Sequence, residues 1–238
     1  MADDPSDVRI GLGRNLTHGM LDHLGKMIVT GRYDGIAFPT EAELSKQHGV
    51  SRSVTREAVK MLTAKGLLSA RPRQGTIIEP ATSWNLFDAD VLRWLLDRKF
   101  SIELLRHFNQ LRVAIEPAAA ELAAANADDF GLQLINAGYA RMVAAEAGDD
   151  DTLEADIAFH LSILRASGNP FFDQFRDVVA TALRTSIRFT NRIQGRTADL
   201  AAHEAVKLAI EAHDPIAARA AMAQIIDDVM ELIAKSSA

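Results

Sequence analysis

The stretch FPTEAELSKQHGVSRSVTREAVKML, residues 38–62, decides the fold. Thr40 followed three residues later by Glu43 is a capping-box signature. The hydroxyl takes a free N–H of the first helical turn, and the carboxylate returns to the backbone N–H of the cap. A helix starts there and stops at His48-Gly49-Val50, where glycine can turn the chain left-handed without steric cost. Ser51 then caps a second helix, whose buried stripe is expected at Val54, Ala58, Val59 and Leu62, up to Gly66. Two short helices across a tight turn, the second one basic, form a helix-turn-helix, whose second helix fits the DNA major groove.

Working outward, Leu16, Met20, Leu24, Met27 and Ile28 repeat at a helical period as far as Gly31. On the other side, Leu67-Leu68-Ser69-Ala70 and Thr76-Ile77-Ile78-Glu79 flank the basic turn Arg71-Pro72-Arg73-Gln74-Gly75. Two short strands around a glycine turn make a hairpin, the wing of a winged helix. The pattern predicts a winged helix-turn-helix domain over 12–80, a linker over about 80–90 and a second domain over 81–238. In the second domain, alanine-rich amphipathic runs broken by Gly, Asp, Asn or Pro predict helices at 90–98, 102–126, 128–148, 152–167, 170–193, 198–212 and 215–236. Such runs build an antiparallel all-α bundle, so the fold class is mainly α. Trp84 and Trp94 are expected to pack the linker onto this bundle.

A chain of 238 residues has room for two domains with separate cores. It has no cysteine, which excludes disulfides and thiolate metal sites and fits a cytoplasmic home. The start MADDPSDVRI has neither a basic n-region nor an apolar h-region, so no signal peptide is expected. No apolar run reaches 18 residues, so no membrane partner is expected either. The net charge of −6 argues against nucleic acid, but the charge is unevenly distributed. Between Ser45 and Ile78 stand Lys46, Arg52, Arg56, Lys60, Lys65, Arg71 and Arg73 against Glu57, whereas from Ala81 onward 15 basic residues face 23 acidic ones. The first domain thus carries the footprint of a polyanion binder, although charge alone also fits a solvated helix face.

Particular residues carry the DNA chemistry. The hydroxyls of Ser51 and Ser53 and the first N–H groups of their helix suit phosphate oxygens. Arg52 and Arg56 stand one turn apart on a face turned away from the apolar stripe, and an arginine fork can address guanine O6 and N7 together. Arg73 and Gly75 at the wing tip suit the neighbouring minor groove.

In the second domain, EADIAFH (154–160) puts Asp156 and His160 at i and i+4 on one helix face. Imidazole with carboxylate suits zinc, nickel or manganese, but two residues alone leave open whether they are ligands or a core pair. Arg112 precedes Glu116 by four residues, which fits either a salt bridge within the helix or a bidentate clamp on a ligand's carboxylate. Arg184 and Arg188 are also one turn apart. Asn169, just before Pro170, reads as a helix cap, and His18, His23, His48, His107 and His213 carry no partner pattern.

Phe38-Pro39-Thr40-Glu41-Ala42-Glu43-Leu44, Gly49 to Ala58, Leu62, Gly66-Leu67 and Gly75-Thr76 together resemble the GntR family of bacterial transcription factors. The resemblance implies that Arg52 and Arg56 touch bases or phosphates and that Ser51, Ser53 and Gly75 help seat the DNA backbone. Many members have arginine where this chain has Ala42, which implies one operator contact fewer. The second domain resembles the FadR-type (FCD) ligand-binding domain through LRVAIEPAAA (111–120), DIAFH (156–160), SGNP (167–170) and His203-Glu204. WNLFDADVLRW (84–94) is similar to the branch of sugar-acid-responsive regulators that includes the D-galactonate operon repressor.

Such domains hold a divalent metal with an aspartate, the histidine four residues later and two further histidines, and an anionic effector completes the coordination. Carried over, this implies Asp156, His160 and His203 as metal ligands, with Ile225 standing where the family has its last histidine. Three ligands leave positions open for water or effector. A metal-free arrangement, in which His160 and His203 hydrogen-bond the effector, is the other reading. Arg112 and Arg188 join Asp156, His160 and His203 as implied effector contacts. The resemblance implies a cytoplasmic homodimer on a palindromic operator, a repressor of sugar-acid catabolism genes. A small carboxylate, an aldonate or another sugar acid or hydroxy acid, would release it; no enzyme activity is implied. An architectural DNA-binding dimer without ligand stays open, as does a metal-dependent helical-bundle enzyme, which leaves the basic winged helix unexplained.

Overall fold

The computed structural model of the chain describes residues 16–98, 101–194 and 199–236, and for 188–194 and 236 the backbone only. It divides into two compact units, Met1–Lys99 and Phe100–Ala238.

In the first unit, α1 (Leu16–Val29) buries Met20, Leu21, Leu24, Ile28 and Val29. It packs against α3 (Arg52–Ala64), and α2 (Glu41–His48) inserts Leu44 beside them. The caps form as the sequence predicts. Thr40 N donates to Glu43 Oε2 at 2.8 Å, Glu43 N donates to Thr40 Oγ1 at 3.3 Å, and Val54 N donates to Ser51 Oγ at 3.3 Å. Gly49 ends α2 with φ 63°. One position of the α3 stripe differs from expectation: Thr55 is buried, and Val54 is only half-buried. Thr55, Ala58, Val59 and Leu62 follow the i, i+3, i+4, i+7 spacing, and the Thr55 hydroxyl is satisfied by Ser51 O at 3.3 Å, so it can enter the core.

The wing is an antiparallel pair, β1 (Leu68–Arg71) and β2 (Gly75–Ile78), with Leu68 opposite Ile78 and Arg71 opposite Gly75. Gln74 N donates to Arg71 O at 3.1 Å, closing a turn with Pro72 and Arg73 at its centre. Arg73 has φ 66°, a left-handed conformation that usually falls to glycine or asparagine.

Residues 81–98 belong with the first unit. A 3₁₀ turn, Ala81–Ser83, lies so close to Gly66 that a Cβ there would fall 2.2 Å from Ser83 O. Asn85 N donates to Lys65 O, Trp84 Nε1 donates to Glu79 O, and Lys65 Nζ reaches Asp88 at 2.7 Å and Asp90 at 2.8 Å. The helix that follows, α4 (Ala89–Leu96), packs on α1. Trp84 and Trp94, expected to tie the linker to the bundle, make contacts within the first unit. Trp94 is 1% exposed in a slot opened by Gly25 of α1, with its indole N–H on Asp22 Oδ1 at 2.7 Å.

The second unit is all helix among its described residues: α5 (Ile102–Asn126), α6 (Asp129–Ala147), α7 (Thr152–Ala166), α8 (Pro170–Gln174), α9 (Arg176–Gln194), α10 (Leu200–Glu211) and α11 (Pro215–Ser236). The stretch predicted as one helix over 170–193 is two, because the chain breaks at Phe175. Asn169 caps α8, accepting from Phe171 N at 3.0 Å. Extensive packing of α5 on α11 and of α6 on α7 encloses a core of Ala119, Ala123, Ile135, Phe159, Leu183, Val206 and Met222. Gly138 allows α6 to approach α7: a Cβ there would lie 2.9 Å from Phe159 Cα. No described helix is long and apolar enough to cross a membrane.

Candidate functional site

Two sets of side chains stand out, one in each unit. On the first unit, Ser51, Arg52, Ser53 and Arg56 are all exposed at the start of α3, and Arg73 and Gly75 are exposed at the wing tip. Arg56 is held loosely by Glu41 of α2, Nε to Oε2 at 3.3 Å, and Arg52 stands one turn earlier on the same helix. Ser51 Oγ accepts the cap bond, so its own proton is left to donate. Ala42, beside Glu41, is exposed and offers no polar group. This surface presents cations, hydroxyls and a helix N-terminus without apolar bulk, as a phosphate backbone requires.

On the second unit, α5 supplies Arg112 and Glu116, α7 supplies Asp156 and His160, and α10 supplies His203. All five are buried, Arg112 to 2% exposure and Glu116 and His160 to 1%. Glu116 links the set together. Its carboxylate takes Arg112 Nε at 2.5 Å and Nη2 at 3.3 Å, and its Oε2 lies 2.6 Å from His160 Nδ1. The sequence marks Glu116 only as a partner of Arg112, and the contact to α7 follows from tertiary packing. Across the site, Asp156 Oδ1 is 3.0 Å from His203 Nε2 and 3.7 Å from His160 Nε2. His203 Nδ1 meets Asp199 O at 2.6 Å. The two imidazoles meet edge-to-face with ring centres 5.4 Å apart, and Phe159 packs T-shaped against both, 5.9 Å from His160 and 5.3 Å from His203.

Burial and charge compete at these groups. Burial pushes the Glu116 carboxyl up, yet Arg112 and His160 outweigh it and bring it down to about 2. Burial likewise opposes ionisation of Asp156, but His203, His160 and Arg112 together hold it below the usual carboxylate range. For His203 burial favours the neutral ring, and the Asp156 carboxylate overrides it, raising its basicity. The network is therefore built around two carboxylates that stay ionised.

Three of its buried atoms, Asp156 Oδ1, His160 Nδ1 and His203 Nε2, lack a hydrogen bond of good angle despite short separations. Asp156, His160 and His203 each offer one donor atom, all within 4.8 Å of one another. Donors bound to one ion at about 2.0–2.2 Å stand roughly 3–4 Å apart, a range met by Asp156 Oδ1 with His203 Nε2 at 3.0 Å and with His160 Nε2 at 3.7 Å, so these residues could hold a divalent cation of the zinc, nickel or manganese kind. Glu116 at His160 Nδ1 and the Asp199 carbonyl at His203 Nδ1 leave Nε2 of both rings for that role.

The structure brings Arg112, Asp156, His160 and His203 together. It puts Arg184 elsewhere, in an ion pair with Glu154 at 3.1 Å, and the Arg188 side chain lies outside the described residues. Ile225 on α11 packs against the hydrophobic core and supplies no donor. His23 and His48, which lack a partner pattern in sequence, meet edge-to-face at 5.1 Å in the first unit. His213 anchors the α10–α11 turn on Ala124 O.

Comparison with known proteins places both units. Residues 17–78 match the model "Bacterial regulatory proteins, gntR family", and residues 108–228 match the FCD domain. The HTH-type transcriptional regulator YieP of Escherichia coli (strain K12) is 34% identical over 208 residues, 86% of this chain and 90% of the relative. The galactonate operon transcriptional repressor of the same strain is 33% identical over 171 residues, 71% of this chain and 75% of the relative. Among solved structures, E. coli McbR/YncC shares the fold with a TM-score of 0.53, 18% identity and coverage of 94% of this chain and 99% of that one. Its relatives are regulators rather than enzymes, and the chain belongs to the GntR family of bacterial transcriptional regulators, in the FadR-type branch that carries an FCD domain.

Proposed function

We propose that the protein is a cytoplasmic, homodimeric repressor of carbohydrate-acid catabolism genes, released from a palindromic operator by a small carboxylate. Each protomer would lay α3 in one half-site, with Arg52 and Arg56 towards base edges, Ser51 and Ser53 on phosphates, and Arg73 and Gly75 in the adjoining minor groove. A sugar acid or hydroxy acid such as an aldonate would bind in the bundle, its carboxylate on Arg112 and its hydroxyls towards Asp156, His160 and His203. A zinc, nickel or manganese ion held by those last three would supply a positive charge for the same anion.

One observation carries this reading. A buried arginine stands, through Glu116 and His160, in the same polar core as Asp156, His160 and His203, whose donor atoms converge within 4.8 Å and of which Asp156 Oδ1 and His203 Nε2 have no aligned hydrogen bond. A core that merely satisfied its own polar groups would leave no such atoms. The relative named galactonate operon transcriptional repressor supports a sugar acid as the ligand class. To act on DNA binding, the ligand must bind the operator-free state more tightly than the bound one.

Thermal melting against a panel of aldonates, uronates and hydroxy acids, with and without chelator, tests the sensor. One acid should raise the melting temperature and release operator DNA in a mobility shift. Stabilisation by none, in either condition, would sink the sensor and leave the architectural dimer as the better reading.

A further inference from the structure

Asn109 lies fully buried on α5, three residues before Arg112, and Ser186 is buried on α9. The Asn109 amide donates from Nδ2 to Leu105 O at 2.9 Å and to Ser186 Oγ at 2.8 Å. Its Oδ1 accepts from Arg112 Nη1 at 3.3 Å. These partners settle which way the amide points. A flip would set two donors against the guanidinium and an oxygen against the Leu105 carbonyl.

Glu116 holds the guanidinium from the other side through Nε and Nη2. Three of the five N–H groups are engaged in this way, and one remains on each Nη nitrogen. These two N–H groups are left for the carboxylate of a ligand. Burial makes the arrangement stiff, because any other rotamer would leave a charged group and an amide unpaired in the core.

We infer that Asn109 and Ser186 are positioning residues for Arg112: the Ser186 hydroxyl fixes the Asn109 amide, which presents the free guanidinium edge to the carboxylate of an anionic ligand. The inference rests on reading Arg112 as the carboxylate clamp. It extends the site from α5, α7 and α10 to α9, so a ligand on Arg112 is felt by a helix that contributes none of the three convergent donors.

The test reads Arg112 directly in the full-length protein. With isotope-labelled arginine, a guanidinium held on two sides rotates slowly about its Cζ–Nε bond and shows separate Nη proton signals. Ser186→Ala and Asn109→Ala should merge the Arg112 signals, and Ser186→Thr, which restores a hydroxyl, should keep them apart. Calorimetric titration with D-galactonate, D-gluconate, L-lactate and glycolate runs alongside. Whichever acid binds the wild type should bind roughly 10–100-fold more weakly to Ser186→Ala and Asn109→Ala, as for loss of a hydrogen bond to a charged group. Asn109→Asp, which sets a carboxylate against Arg112, should abolish binding. Separate Arg112 signals in both alanine variants overturn the inference. Merged signals with no acid bound by the wild type leave the positioning intact and bring down the clamp instead.

Discussion

Gly25 of α1 lies beneath Trp94 of α4 so closely that a Cβ on Gly25 would sit 2.2 Å from the indole Cη2. Gly25→Ala should therefore expel the indole or bend α1. The expected loss is about 1–3 kcal/mol of stability in the winged unit, as for other overpacked cores. Trp94→Ala, which empties the slot, should cost about 3–5 kcal/mol. Urea unfolding followed by circular dichroism measures both. Neutral behaviour of the two variants would mean that α4 does not hold the unit together.

The same contact shows where reading the sequence stops. The Thr40–Glu43 box, the Ser51 and Asn169 caps and the wing hairpin are encoded within a few residues of themselves, and each is visible in the chain. The i, i+4 pairs Arg112–Glu116 and Asp156–His160 are local as well. Trp94 in the slot of Gly25, Glu116 reaching His160, and Asn109 reaching Ser186 depend on which helix faces which, and no nearby residue announces them. Phe175 breaks its helix without a glycine or proline to signal it. Thr55 takes a core place because Ser51 O satisfies its hydroxyl, which a hydrophobic pattern does not register.

Operator affinity should fall linearly with salt on logarithmic axes, with a slope set by the phosphates contacted. Arg52→Ala and Arg56→Ala should each weaken binding. A variant that lowers the slope by about 0.9 has lost a phosphate contact, and one that keeps the slope but loses sequence preference has lost a base contact. Fluorescence anisotropy on an operator selected from a random pool separates these cases. Unaltered binding by the double variant would move the DNA surface away from α3.

Arg73 occupies a left-handed position that asparagine adopts more readily. Arg73→Asn should leave stability unchanged or raise it slightly, by less than about 1 kcal/mol, while operator affinity drops. A fall in stability together with affinity would assign Arg73 to the wing's folding instead of its grip on DNA.

Burial lowers the basicity of His23, against the opposing charge of Asp22, and burial together with neighbouring His23 lowers that of His48. Both folded values thus lie below the ordinary 6.5. The unfolded chain binds more protons over that interval, so the stability these rings contribute is present above about pH 6.5 and is lost as pH falls through the folded values. Melting of the winged unit should drop between about pH 7 and pH 5, and His23→Gln/His48→Gln should flatten the profile. An identical profile in the variant would clear the pair of that role.

Glu116 touches His160 at the nitrogen turned away from the convergent donors. Glu116→Gln should lower divalent-metal affinity roughly 10–100-fold, as removal of a ligand's outer partner commonly does. Competition with a chromophoric zinc chelator gives the constant. An unchanged value would reduce Glu116 to a partner of Arg112.

The Lys65 latch onto Asp88 and Asp90 has a consequence for how such proteins exchange parts. Cutting the chain at residue 80 would strand the Lys65 ammonium, 13% exposed, without its two carboxylates and would strip Trp94 from α1. A crossover after Arg98 removes neither. Recombination that swaps one sensor bundle for another while keeping a working DNA reader should therefore have its seam beyond α4, and grafts joined upstream of it should fail to fold.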